Sequence, residues 1–222
     1  TRFAFIDWTR GVAAILMLNG HVFHSFMRDD LRTEAPYVLT QFIGGMPPAI
    51  FLFLVGVTLA FMMDSRQRQG VPASRRVKTA IRRGGYLFGV AVLFRIQMFV
   101  FGLPDSRFSD LFRVDILNAM GFAIVAMSGF AVLRTAQRVR ACALAGLAIA
   151  FASPLVSMMN WSAAPAALRD YIAPSSTAFA FFPWGAFVAL GMSVGSVIRL
   201  AAREQMGRIM YGSAWLGLIL II

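Results

Sequence analysis

The sequence predicts an all-α fold: a polytopic transmembrane helix bundle of about seven spans, with the N-terminus on the cytoplasmic side. Three observations lead there. Of 222 residues, 59% are hydrophobic and only 14% are charged. The mean hydropathy is +0.70, above the range of ordinary soluble domains. The apolar residues gather into runs of roughly 20, the length that crosses a bilayer core, and these runs lack the alternating polar face of a soluble amphipathic helix.

Taken in order, the spans are Gly11 to Met27, Phe42 to Met63, Gly84 to Leu103, Val114 to Leu133, Ala141 to Met159, Ser176 to Ile198, and Ile209 to the end. The second opens with Gly44, Gly45, Pro47 and Pro48, a composition that kinks or unwinds a helix where it lines a cavity. Gly121, Gly185, Gly191 and Gly195 lie within later spans, where small residues let helices approach closely. The first run contains His21 and His24 and no small-residue cleavage site follows it, so it is expected to be retained rather than removed as a signal peptide. The chain reads as a single domain over residues 1–222. Because it stops inside an apolar run, it is expected to be incomplete at its C-terminus.

Orientation follows from the connections, since Arg and Lys stay on the cytoplasmic side. The second connection, Asp64 to Arg83, holds Arg66, Arg68, Arg75, Arg76, Lys78, Arg82 and Arg83 against the single acid Asp64. Arg134, Arg138 and Arg140 occupy the fourth, and Arg199, Arg203 and Arg208 the sixth. In the odd-numbered connections acids match or outnumber bases. The same alternation accounts for the net charge of +11 without nucleic acid, because the bases sit between apolar runs rather than on one soluble face. Cys142, the only cysteine, excludes an intrachain disulfide and a cysteine-based metal site.

Ionisable side chains inside a span are costly unless paired or wet, so each is a candidate site residue. The first span carries the clearest pattern: Asp7, Arg10, His21 and His24. Eleven positions separate Arg10 from His21, about 20° past three full turns, so the two share a helix face. The rise between them is about 16 Å, which puts His21 near or just beyond mid-membrane if Arg10 is at the cytoplasmic interface. A neutral imidazole at that depth suits a general base, and a guanidinium at the inner face suits a phosphate or a link to Asp7. Taken singly, Arg10 also fits a topology anchor, and either histidine an interhelical hydrogen bond. A metal on the two histidines lacks a completing carboxylate, and none is predicted. Asp115 sits at the outer start of the fourth span, where it can orient a histidine, bind a substrate hydroxyl, or cap the helix. Arg95 can pair with Asp115 or another anion, or snorkel outward. Arg82 and Arg83 are topology determinants that can also receive a cytoplasmic phosphate.

The stretch Ile-Asp-Trp-Thr-Arg-Gly at 6–11, followed by His21, resembles the opening of the transmembrane acyltransferase superfamily. Three further stretches, 48–60, 114–121 and 181–191, resemble the branch of the heparan-alpha-glucosaminide N-acetyltransferase catalytic domain and its bacterial relatives. The first-span motif is also similar to that of the acyltransferase-3 family. The resemblance implies transfer of an acyl group, usually acetyl, from cytoplasmic acyl-CoA to a hydroxyl or amine of a glycan across the membrane, in a bacterial inner membrane. It implies His21 as the catalytic histidine and Arg10 as its motif partner near the acyl-CoA side; joined to the reading of the residues, this gives His24 and Asp115 as assistants and Arg10, Arg82 and Arg83 as candidates for holding the donor's phosphates. The family's heparan enzyme has asparagine near the His21 position and a histidine slightly further outward, so the division of roles between His21 and His24 stays open. The rival readings are a transporter or proton-coupled carrier, which would call for two repeat-related halves, and a non-enzymatic sensor or assembly subunit.

Overall fold

The computed structural model describes residues 3–174 and 179–219, and among these the regular structure is entirely helical. The helices are α1 (Ala4–Phe26), α2 (Ala35–Gly44), α3 (Met46–Arg68), α4 (Ala73–Phe101), α5 (Ile116–Met127), α6 (Thr135–Met158), α7 (Ala166–Ile172), α8 (Phe181–Leu200) and α9 (Met206–Ile219). Among the described residues five segments are long and apolar enough to cross a membrane: Ala35–Arg68, Ala73–Phe101, Phe108–Val132, Thr135–Met158 and Phe181–Leu200. The first expected span is a 23-residue helix of sufficient length. Asp7, Arg10, Asn19, His21 and His24 lower its hydropathy, so its candidate site residues remove it from a purely apolar count. The last expected span is described as a 14-residue helix ending at Ile219. Ser176, where the sixth span was expected to start, and the residues beyond Ile219 lie outside the described residues.

The core is a three-helix sandwich in which α8 packs between α3 and α6, with α5 and then α4 on its flank. Leu52, Leu59, Met63, Ile124, Val188 and Met192 are fully enclosed there. Lipid tails are as apolar as leucine, so close van der Waals packing has to hold such helices together. Glycine makes that possible. A side chain added at Gly191 would run into the Phe53 carbonyl, and one added at Gly56 into the Val188 carbonyl. A Gly191→Leu chain is therefore expected to lose about 1–3 kcal/mol or more, read as a lower midpoint of thermal unfolding in detergent. Gly121 and Gly195 also meet a neighbouring helix, whereas Gly185 faces the Phe181 ring of its own helix.

Two boundaries differ from the sequence expectation. The basic connection expected over Asp64 to Arg83 is largely helical, and only residues 69–72 join α3 to α4, with Gly70 turning the chain at φ +73°. Arginine and lysine are good helix formers, so both helices continue past the apolar segment into the interface. At 29 residues α4 is about 43 Å long, more than a core of about 30 Å requires. The kink expected at the second span is present as the break at Gly45 between α2 and α3, with Pro47 and Pro48 in the opening turn of α3.

Candidate functional site

Helix α1 has three faces, and the split between them sets the site. Ile6, Ala13 and Gly20, spaced by seven, turn toward α3 and α2. Gly20 lies against the Cα of Gly44, which draws α1 and α2 together beside His21. Trp8, Ile15, Leu18 and Phe26 form an outward apolar stripe and are 65–84% exposed. Between these faces run Arg10 and His21. Because α1 begins at Ala4, seven residues earlier than expected, Arg10 lies within the helix and the periodic argument applies to it directly.

Arg10 makes an ion pair with Asp7 at 3.6 Å, one turn back. It is also close enough to Arg83 of α4 for the two like charges to act on one another. Two of the three predicted phosphate-binding arginines are thus brought together from separate helices. Arg82 is not. It sits next to Arg83 but is turned about 100° around α4, is exposed, and makes no hydrogen bond or ion pair among the described residues.

The Nδ1 of His21 is 2.8 Å from the carbonyl oxygen of Met17. A carbonyl can only accept, so in the neutral ring Nδ1 carries the proton and Nε2 is left with its lone pair. Nε2 is then the ring nitrogen able to take a proton, and the ring is held to its own helix. His24 is held differently. Its Nδ1 is 3.0 Å from the Tyr37 hydroxyl of α2, which can donate or accept, while its carbonyl accepts from Arg32 at 3.1 Å. Tyr37 itself is buried. His24 therefore fastens the C-terminal end of α1 to α2 and leaves either tautomer open.

Asp115 combines two of the roles its sequence position allowed. Its Oδ1 accepts from the backbone N–H groups of Leu117 and Asn118, each at 3.0 Å, capping α5. Its Oδ2 lies 3.1 Å from Nε of Arg95 on α4, with both side chains about five-sixths buried. The pair sits off the hydrogen-bonding axis and is held by charge. Its neighbour Tyr171 of α7 was not singled out by sequence reasoning. The Tyr171 ring packs on Phe88 and Phe122, and burial, reinforced by the Asp115 charge, pushes its phenol above the usual tyrosine range. The hydroxyl stays a proton donor near neutrality. Arg95 lies twelve residues beyond Arg83 on α4, about 18 Å, and His21 eleven beyond Arg10 on α1, about 16 Å. Along each helix the spacing is alike: a basic residue near its start, Arg10 or Arg83, is followed about three turns later by His21 on α1 and by the Arg95–Asp115 pair on α4.

Where α3 ends and α6 begins, a polar cluster ties the core helices together. Asp64 accepts from Thr135 Oγ1 at 2.7 Å, Arg68 Nε at 2.9 Å and Arg199 Nε at 2.6 Å, joining α3, α6 and α8. Asp64 is almost fully buried. No residue of this cluster stood out in the sequence except through Asp64 itself, the lone acid in a basic segment. Among the described residues no group of three or more His, Cys, Asp or Glu side chains is arranged to hold a metal, and Cys142 is buried and unpaired.

A helical bundle in which five of the described segments are long and apolar enough to cross a bilayer defines an integral membrane protein. The sequence profile of the heparan-alpha-glucosaminide N-acetyltransferase catalytic domain matches residues 2–221, and the chain belongs to that family. The family makes it a membrane acetyltransferase. Searches of curated proteins and of solved structures return no match.

Proposed function

We propose that the protein moves an acetyl group from cytoplasmic acetyl-CoA to a hydroxyl or amine of an extracytoplasmic glycan, using His21 as general base. In this reading the chain crosses a bacterial inner membrane seven times, α1 and α9 included, with its N-terminus in the cytoplasm. Arg10 and Arg83 meet the donor's phosphates at the inner face, and the thioester reaches up along α1 to the level of His21. Arg82, turned away from them, contributes to orientation by its charge on the cytoplasmic side.

The acceptor's oxygen or nitrogen attacks the thioester carbonyl carbon and gives its proton to Nε2 of His21. The carbon–sulfur bond breaks, the electron pair leaves on the CoA sulfur, and the proton held on His21 passes to that sulfur. An acetylated acceptor and free CoA thiol result. Asp115, through Arg95, fixes a positive charge at the outer level, and Tyr171 offers a neutral donor to an acceptor hydroxyl. His24 keeps α1 seated against α2. The observation that carries the reading is the His21 Nδ1 contact to the Met17 carbonyl, which leaves the other ring nitrogen free to take a proton at the depth where donor and acceptor would meet.

Binding of radiolabelled acetyl-CoA to the purified full-length protein tests the donor half. Saturable binding that weakens about tenfold or more in Arg83→Gln, the size of a lost charge-assisted contact, is the expected result. Binding that is absent, or indifferent to both Arg10→Gln and Arg83→Gln, would remove acetyl-CoA from this face.

A further inference from the structure

The cluster around Asp64 holds more positive charge than its protein partners satisfy. Arg138 of α6 is fully buried and Arg76 of α4 is 7% exposed. They are close enough for their charges to act on one another, and Arg138 also feels Asp64. Arg138 donates to the carbonyls of Phe130 at 3.2 Å and Leu133 at 2.9 Å and to Gln67 Oε1 at 3.3 Å, yet its Nη1 has no partner. Arg76 leaves both Nε and Nη1 buried and unpartnered. Asp64, the carboxylate whose charge acts on Arg138, is already taken by Thr135, Arg68 and Arg199. With the solvated Arg68 set aside, Arg76, Arg138 and Arg199 stand against one aspartate and leave two positive charges without a counter-ion.

Buried guanidiniums without acceptors are costly, and a second like charge within electrostatic range adds to the cost. The arrangement demands an anion with several acceptor oxygens, able to face two planar forks at once. We propose that Arg76 and Arg138 form a phosphate-binding site at the cytoplasmic end of the core, between α4 and the start of α6. The phosphate belongs either to a soluble nucleotide or to the headgroup of an anionic lipid in the inner leaflet. Both present the same oxygens to the same forks. Arg76 and Arg83 lie seven residues apart on one face of α4, so a soluble occupant would continue the basic track that Arg10 begins. The site stands on its own orphaned donors, and its loss would leave base catalysis at His21 unaffected.

Thermal unfolding of the purified full-length protein, at matched ionic strength, separates the sources. One arm titrates inorganic pyrophosphate and adenosine 3′,5′-bisphosphate in neutral detergent. The other compares nanodiscs of phosphatidylcholine alone with nanodiscs containing phosphatidylglycerol. In at least one arm the wild type is expected to gain stability saturably, with affinity falling about tenfold or more in Arg76→Gln. Arg76→Lys, which keeps the charge without the fork, is expected to fall between the two. A soluble-arm response assigns a nucleotide phosphate, and a lipid-arm response assigns a headgroup. If neither arm stabilises the wild type, or if Arg76→Gln and Arg76→Lys respond as the wild type does, the site does not exist.

Discussion

Replacing His21 by alanine in the full-length protein is expected to lower kcat for acetyl transfer by about 10²- to 10⁴-fold, the usual contribution of a positioned general base. The Michaelis constant for acetyl-CoA is expected to change little. His21 is exposed on the flank of α1 and its one hydrogen bond is to its own helix, so truncation removes no tie between helices. Folding should be preserved, which separates this variant from one at His24, whose ring bonds to Tyr37 on a different helix. His24→Ala should lower thermal stability as well as rate. Steady-state kinetics on both variants, with unfolding midpoints measured alongside, distinguishes the two histidines. Equal loss of rate at unchanged stability in both would assign chemistry to the pair rather than to His21.

The second large effect is on stability. Asp64→Ala is expected to cost about 3–5 kcal/mol, the range for breaking a buried ion pair by removing one partner. Arg199 is the partner that decides this, being 23% exposed and 2.6 Å from the carboxylate. Arg68, 59% exposed, is solvated and contributes little. Thr135 would lose its acceptor as well. The loss should appear as a lower unfolding midpoint and a lower yield of folded protein. Asp64→Asn should recover part of it, because its amide oxygen still accepts from Thr135. An Asp64→Ala protein as stable as the wild type would show that the cluster is satisfied without its acid.

These two effects differ in how far the sequence discloses them. The relation of Arg10 to His21 is local: both lie on one continuous helix, so their shared face follows from helical periodicity and is legible without coordinates. The Nδ1 contact that selects the His21 tautomer is also local, reaching back one turn to Met17, and sequence does not reveal which ring nitrogen it uses. The pairing of Arg95 with Asp115 was one of several open possibilities, because the fourth span had to be laid beside the third before it could form. Asp64 joins Thr135 and Arg199, which are 71 and 135 positions away. One sequence carries no signal for such pairings, and Asp64 therefore read only as the single acid of a basic connection that sets topology. The end of α3 and the start of α4 were misplaced for a related reason. Hydropathy locates the apolar stretch of a helix, while backbone hydrogen bonding continues into charged residues that favour the same conformation.

The central claim is that α1 carries a route across the membrane, from Arg10 at the cytoplasmic face to His21 within the bilayer. Its most direct test is a sidedness measurement on sealed vesicles of known orientation. Membrane-impermeant labelled acetyl-CoA is supplied on one side, and an amino sugar or hydroxylated glycan acceptor on the other. The expected result is acetylated acceptor only when acetyl-CoA is on the side bearing Arg10, with the product lost in His21→Ala. Transfer that requires donor and acceptor on the same side, or that persists in His21→Ala, would contradict the account.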